Sequence, residues 1–299
     1  MGANSQGPLR WGFIGCGNIA NDFANALKGV TTEEAKLSAV AARSLETAEK
    51  FAKTHGFARS YGSYEDLCAD PEVDVVTTAR AGSPRRPSLY VRQLIAEGKI
   101  GDVHHVHGDI GLGFVTSETE ANFRSSSGDG TLLGLGIYPL SFVTMLFGTN
   151  PSKITATGKL STGGADLYGS ATLEFGENRF STINFTALAE LGNSVTITGS
   201  KGRIHLPSSA HNATEVKLTQ FLENGSQQEK TTLFPWPAPS PNIATPFKYP
   251  GSEALVYEAD NAIQSGQSHC EEYPLEESLG IAKIMDEILK NIGVVYPAA

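Results

Sequence analysis

Apolar residues along this chain change their period near its middle. In the first part they come as short runs between helix-like stretches. Leu9 to Ile14 (LRWGFI) leads into Gly15-Cys16-Gly17-Asn18-Ile19-Ala20 and then into a helical run, Asn21 to Leu27. Lys36 to Ala42, Ala58 to Tyr61 and Val73 to Thr78 have the composition of buried strands, with helices predicted between them over Leu45 to His55 and Ser63 to Ala69. Strands alternating with helices at this spacing predict a parallel α/β sheet. The pattern breaks at Ala79. Arg80 to Pro87 reads as a proline- and arginine-rich loop whose Arg80, Arg85 and Arg86 are solvated, followed by a helix over Ser88 to Glu97 and a strand over Asp102 to Gly113.

The second half alternates. In Leu167 to Phe175, residues Leu167, Ala171, Leu173 and Phe175 face one way and Tyr168, Ser170, Thr172 and Glu174 the other. Arg179 to Leu188, Ser194 to Thr198 and Arg203 to Leu206 follow as further strands. One apolar face predicts an antiparallel sheet packed on helices by that face, its Thr/Ser/Tyr face either solvated or a subunit interface. Pro235 to Pro250 is a proline-rich loop, and helices are predicted over Ser252 to Gln264 and Leu275 to Ile292, the latter with an apolar stripe and Gly293 as its cap. Gly130 to Phe147 carries no charge and raises a membrane question. Pro139, three internal glycines and the lack of a basic flank favour a buried helix at a domain junction. The expected class is therefore α/β. A truncated, doubly wound parallel-sheet domain over 1–87 precedes an α+β domain over 88–299 with an open, mostly antiparallel sheet.

Charge and cysteine content narrow the setting. A formal net charge of −9 argues against nucleic acid or an anionic membrane as partner. Cys16, Cys68 and Cys270 are odd in number and far apart, which points to a reducing compartment, and the N-terminus has no apolar secretory core. A cytoplasmic location is expected. Gln6 stands where an N-myristoylation signal after Met1-Gly2 would want Ser or Thr. The N-x-S/T triplets at Asn184, Asn212 and Asn224 read as chance matches.

The candidate chemistry centres on the glycine turn. Gly15 to Ala20 is G-x-G-x-x-A between a strand and a helix, the context of a dinucleotide fingerprint. Gly15 permits the tight turn, Gly17 lets backbone N–H groups approach a pyrophosphate, and Ala20 lets helix and strand lie close. The second strand then ends in Ala42-Arg43-Ser44, with no acidic residue before Glu46. An acidic residue there would hold the 2′-hydroxyl of NAD. Arg43 beside the hydroxyl of Ser44 suits a 2′-phosphate, so NADP is expected over NAD. His105 and His107 share a strand face, but the sequence supplies them with no further metal ligand, so no metal is expected. Cys16 reads as a small packed residue.

Taken together, LRWGFIGCGNIANDF, VAARSLETAEKFA, YGSYEDL, LIAEGKIGDV, LLGLGIYPL, TGSKGRI, YEA and IGVVYP resemble the Gfo/Idh/MocA oxidoreductases, in order along nearly the whole chain. The resemblance implies a nucleotide domain followed by an α+β domain whose open sheet forms a homodimer. It implies hydride transfer between NADP and a small molecule, a D-xylose-like sugar or a trans-dihydrodiol. Gly15, Gly17, Asn18 and Ile19 match the phosphate loop, Arg43 and Ser44 the 2′-phosphate position, and Tyr138 the catalytic His or Tyr. Thr78, ending the fourth strand, joins the cofactor-binding candidates.

Two departures stand out. The family's fifth strand ends in Glu-Lys-Pro, a sequence found nowhere in this chain, and Gly134 occupies the place of a usual Asp four residues before Tyr138. A strand–helix–strand module is missing around Ala79 to Ser88. The alternative expectation is thus a catalytically inactive, truncated member that keeps the dimerisation sheet.

Overall fold

The computed structural model describes residues 7–30, 34–77, 86–257 and 275–296. By their contacts, residues fall into two compact units, Met1–Arg85 with Trp236–Tyr273, and Arg86–Pro235 with Pro274–Ala299.

In the first unit, β1 (Leu9–Ile14), β2 (Ala35–Ala41), β3 (Arg59–Tyr61) and β4 (Val75–Thr77) form a parallel sheet in the order β3-β2-β1-β4. Alternation along β1 sends Trp11 and Phe13 to one face. There they join Phe23 and Leu27 of α1 (Asn18–Leu27), Ala52 of α2 (Leu45–His55) and Phe57 in a core. Phe13 meets Phe57 edge-on at 5.0 Å. On the other face Ala39 and Ala41 pack with Leu67 of α3 (Tyr64–Cys68). Helices thus cover both faces, as a doubly wound sheet requires. Each helix start has its own chemistry: Ser44 and Ser63 cap α2 and α3 through their hydroxyls, whereas α1 starts at Gly17 with no side-chain cap.

The segment after Trp236, which the sequence division assigned to the second domain, packs with the first unit. Polar side chains on α1 hold it. Buried Asp22 accepts the backbone N–H groups of Lys248 and Tyr249 at 2.7 and 3.0 Å, and Asn25 donates to the Thr245 carbonyl at 2.8 Å. A proline-rich strip offers backbone groups that no ladder partner claims, and α1 supplies the partners. Of the helix expected over 252–264, Ser252–Leu255 is a 3₁₀ turn, and residues from 258 lie outside the described ones.

The second unit is built on an eight-stranded sheet, β12-β11-β10-β9-β5-β8-β7-β6. It opens with α4 (Arg86–Ala96) and β5 (Val103–Gly111). After α5 (Ile137–Phe147) come β6 (Lys153–Leu160), β7 (Asp166–Glu174), β8 (Phe180–Thr186), β9 (Val195–Gly199), β10 (Gly202–Leu206), β11 (Glu215–Phe221) and β12 (Gln227–Leu233). Its pairs are antiparallel except β5 with β8. The last described helix is α6 (Leu275–Ile292), closed by Gly293 as expected. The inward faces of β7 and β8 bury Leu167, Ala171, Leu173, Ile183 and Phe185. β6, β11 and β12 are not among the strands that the sequence predicts. β12 is polar and mostly exposed along its length, so it carries no apolar period, and Asn224-Gly225 was the one local sign of a hairpin.

The uncharged stretch before Phe147 is not one uniform helix. Leu132–Gly136 is a π-helical turn that runs directly into α5. Among the described residues no helix is long and apolar enough to cross a membrane.

Candidate active site

The glycine turn sits between β1 and α1. Gly15 holds φ at +97°, in the left-handed region that glycine adopts without steric cost, and its N–H binds the Ala41 carbonyl at 2.8 Å. A Cβ added at Gly15 or Gly17 would meet nothing within 4 Å. Gly17 heads α1 with no capping side chain, and the first turn carries no acidic residue. Asn18 and Ile19 are the first two helical residues, so their N–H groups have no acceptor within the helix. The arrangement is an uncapped helix N-terminus facing open space, which suits an anion such as a pyrophosphate. The helix begins at Asn18, three residues before the expected start, because Asn21 already binds back to the Gly17 carbonyl. Asn18 is exposed, its side-chain amide donating to the Tyr249 hydroxyl at 3.3 Å, while Ile19 packs on the core. Cys16 lies against the same core, and burial pushes its thiol up to about 11, so it stays protonated at neutral pH.

Arg43 follows β2 and is exposed, forming no ion pair with a described residue. Ser44 beside it accepts the Thr47 N–H at 3.4 Å as the α2 cap, a structural duty that the sequence reading did not assign it. Its hydroxyl proton stays available to a ligand, since a hydroxyl both donates and accepts. Thr78 lies outside the described residues, as do Arg80, Arg85 and Cys270.

In the second unit, Tyr138 is the second residue of α5 and is half-buried at the end of the π turn. Close helix–sheet contact sets its place: a Cβ on Gly108 of β5 would fall 2.6 Å from the Cβ of Pro139. The start of this helix is held by Asp166, whose Oδ2 accepts the Leu132 N–H at 2.7 Å, and by the Thr131 hydroxyl donating to the Asp166 carbonyl at 2.6 Å. The ring of Tyr138 faces that of His211, with centroids 4.8 Å apart and planes at 37°. Asp109, Asn193 and Ala210 line the same small cleft. Gly134 is exposed, with nothing near its missing Cβ. The sequence singles out Tyr138 but not His211, which sits on a 3₁₀ turn far along the chain with no local motif.

His105 and His107 do share a face, and both approach the Thr182 hydroxyl, at 3.2 and 2.8 Å. His105 also stacks on Phe180 at 4.3 Å. Among the described residues no group of three or more His, Cys, Asp or Glu could hold a metal ion.

Comparison with known proteins places these features in a family. Residues 9–104 match the oxidoreductase family with an NAD-binding Rossmann fold, and residues 88–205 match the GFO/IDH/MocA C-terminal domain. The chain is 31% identical to trans-1,2-dihydrobenzene-1,2-diol dehydrogenase of Xenopus laevis, covering 96% of this chain and 99% of that one. It is 25% identical to the Homo sapiens protein of the same name, over 97% and 98%. The Xenopus laevis alignment runs over 342 positions against a chain of 299 residues, so that relative carries internal sequence absent here. Among solved structures, an NAD binding oxidoreductase from Klebsiella pneumoniae superposes with a TM-score of 0.70 at 19% identity, over 96% and 99% of the two chains. The WlbA dehydrogenase of Bordetella pertussis, solved with NADH and UDP-GlcNAcA, gives 0.69 at 17% identity over 97% and 96%. Each half of the fold thus has its counterpart, and the chain belongs to the Gfo/Idh/MocA family of oxidoreductases.

Proposed function

We propose that this chain is an NADP-preferring dehydrogenase that oxidises a trans-dihydrodiol, with a D-xylose-like sugar as the neighbouring substrate class. The observation that carries the reading is the open, uncapped glycine turn of Gly15 and Gly17 at the head of α1, in a chain 31% identical to a dihydrodiol dehydrogenase. The residues present fit a dinucleotide. Backbone N–H groups of Asn18 and Ile19 bind its pyrophosphate, and Arg43 with Ser44 binds a 2′-phosphate. Thr78 completes the cofactor-binding set. The nicotinamide, when bound, supplies a hydride acceptor. Tyr138 takes the hydroxyl proton from the carbinol being oxidised.

NADPH formation with trans-1,2-dihydrobenzene-1,2-diol and with D-xylose, followed by absorbance, tests the activity. Turnover with the diol supports the substrate assignment, and turnover with xylose alone moves it to the sugar. A second reading, an inactive member that keeps the fold, is favoured by the missing Glu-Lys-Pro sequence. It predicts no NADPH with either substrate.

We also propose a homodimer through the open face of the second unit's sheet. Thr155, Thr172, Thr182, His107 and Thr196 stand in one row across five strands, flanked by exposed Tyr168 and Phe180. A continuous, weakly charged row with aromatic flanks suits burial against a second copy. Tyr168→Glu should then turn a dimer into a monomer in sedimentation velocity. Unpaired Cys16 and Cys68 support a reducing, cytoplasmic setting.

A further inference from the structure

The cleft that carries Tyr138 gathers three unusual pieces of backbone. The π turn Leu132–Gly136 leads straight into Tyr138. Asn193 and Ser209 both hold left-handed backbone without being glycine, at φ +52° and +63°. Such conformations persist where their surroundings over-determine them, and they gather at functional sites. Asn193 is buried, its Oδ1 accepting the Gly111 N–H at 2.7 Å and its carbonyl accepting the Ala210 N–H at 2.8 Å. Ser209 starts the short turn Ala210–Asn212. The outcome of both is to set His211 against Tyr138, ring centre to ring centre at 4.8 Å. A tyrosine that only filled space would need none of this.

A tyrosine base has a chemical difficulty of its own. With a pKa near 10, a phenol is only ~0.1% ionised at pH 7. A neighbouring cation would ease that ionisation, and the lysine-bearing Glu-Lys-Pro segment of the family is missing from this chain. An imidazole beside the phenol offers another route, since its proton affinity matches neutral pH, with a pKa of about 6.5.

We propose that His211 is the proton partner of Tyr138: as the substrate hydroxyl gives its proton to the Tyr138 oxygen, the phenol's own proton passes to the His211 imidazole, directly or through one water. This rests on the dehydrogenase reading above. The carbinol C–H bond breaks with both electrons leaving as hydride to the nicotinamide, and the carbinol becomes a carbonyl. The hydroxyl proton replaces the phenol proton, so tyrosine stays neutral, and imidazolium releases one proton to solvent. The substrate loses two electrons and the cofactor gains them. His211 acts through Tyr138 and is a positioning and proton-accepting residue. Among the described residues Asp109 is the other titratable group lining the cleft, and its Oδ1 is engaged by the N–H and hydroxyl of Ser194 at 3.1 and 2.8 Å.

The test has two arms on the full-length chain. In the first, NMR of carbon-13-labelled histidine follows the titration of His211 in the unmutated protein and in Tyr138→Phe. Coupling shifts the midpoint by roughly 0.5 unit or more between the two. In the second, kcat/KM with NADP and the diol is measured against pH. Activity rises through one limb as the imidazole loses its proton in the unmutated protein. His211→Gln lowers kcat by ~10²–10³ at pH 7, shifts the limb to alkaline pH, and regains activity with added imidazole. His211→Asn serves if the Gln variant does not fold. An unchanged His211 titration in Tyr138→Phe overturns the proposal, as does a Gln variant with unaltered kcat and pH limb. Coupled titrations without any turnover would sink the dehydrogenase reading and leave the Tyr138–His211 pair standing.

Discussion

Asp166 accepts the backbone N–H of Leu132 at 2.7 Å, fixing the start of the helix that carries Tyr138 with a carboxylate that has no solvent exposure. Burial pushes its carboxyl up to about 6, against the backbone hydrogen bonds that pull the other way. The folded state therefore binds this proton more tightly than the unfolded chain, whose Asp titrates near 4. Stability from this group is complete below about pH 4 and is lost as pH rises through 6. The gap corresponds to roughly 2–3 kcal/mol. Asp166→Asn keeps an acceptor for Leu132 and should flatten the pH dependence of the second unit between pH 4 and 6. Urea midpoints across that range read it, and a slope unchanged by the substitution would exclude the assignment.

The first unit should trend the other way. His55 is buried against Phe51, ring centres 4.4 Å apart, and burial, with the charge of Lys28 adding, pushes its imidazole down to about 4. The unfolded chain takes up this proton near pH 6.5 while the folded one resists it. Its stabilisation holds above pH 6.5 and is lost as pH falls through 4, by about 3 kcal/mol. His55→Phe should remove that slope in thermal unfolding between pH 7 and 4.5, and a variant that retains it would place the titrating group elsewhere.

On the proposed reading, cofactor choice turns on Arg43. Charge-assisted hydrogen bonds to a phosphate are worth about 1.5–3 kcal/mol, so NADP should bind roughly 10- to 100-fold tighter than NAD. Arg43→Glu should reverse the order, because a carboxylate repels the 2′-phosphate and accepts from the 2′-hydroxyl instead. Quenching of tryptophan fluorescence or calorimetric titration gives both constants. Equal affinities in the unmutated chain would remove Arg43 from the site.

The two units should also differ in resistance to heat. Among the described strands β4 is an edge of a four-stranded sheet, and Val76 on it is 41% exposed. A short apolar edge is a weak boundary and an aggregation template. Calorimetry should resolve two transitions, the first belonging to the nucleotide-binding unit. NADP at a hundred times its Kd should raise that one alone, by about 2.7 kcal/mol. A single cooperative transition would mean that the two units unfold together.

Tyr138→Phe gives the plainest check on catalysis. If the Tyr138 hydroxyl receives the substrate proton as proposed, its removal should lower kcat by ~10²–10⁴ while leaving NADP affinity unchanged. Single-turnover reduction of NADP measures the chemical step directly, and full retention of that rate would assign the proton transfer to another group.

How much of this was written in local sequence depends on the distance over which each feature is decided. The strand Leu9–Ile14, the glycine turn after it and the helix Leu275–Ile292 were legible because each follows from neighbours within a few residues: an apolar run, a residue free to take φ +97°, an apolar stripe ended by a glycine. Arg43 could be placed at a strand end for the same reason. The hairpin of β11 and β12 was not, since its outer strand is polar on both faces and gains its order from pairing with β11. Asp22 and Asn25 looked like ordinary polar helix residues, and only the fold brought Thr245 and Lys248 to them. His211 carries no motif at all. Its meeting with Tyr138 required the register of β5 against β9, the close seat of α5 on Gly108 and two left-handed residues in the connecting loops. Backbone preference is a property of a short window, whereas a side chain's partner is set by packing that joins residues remote in the chain.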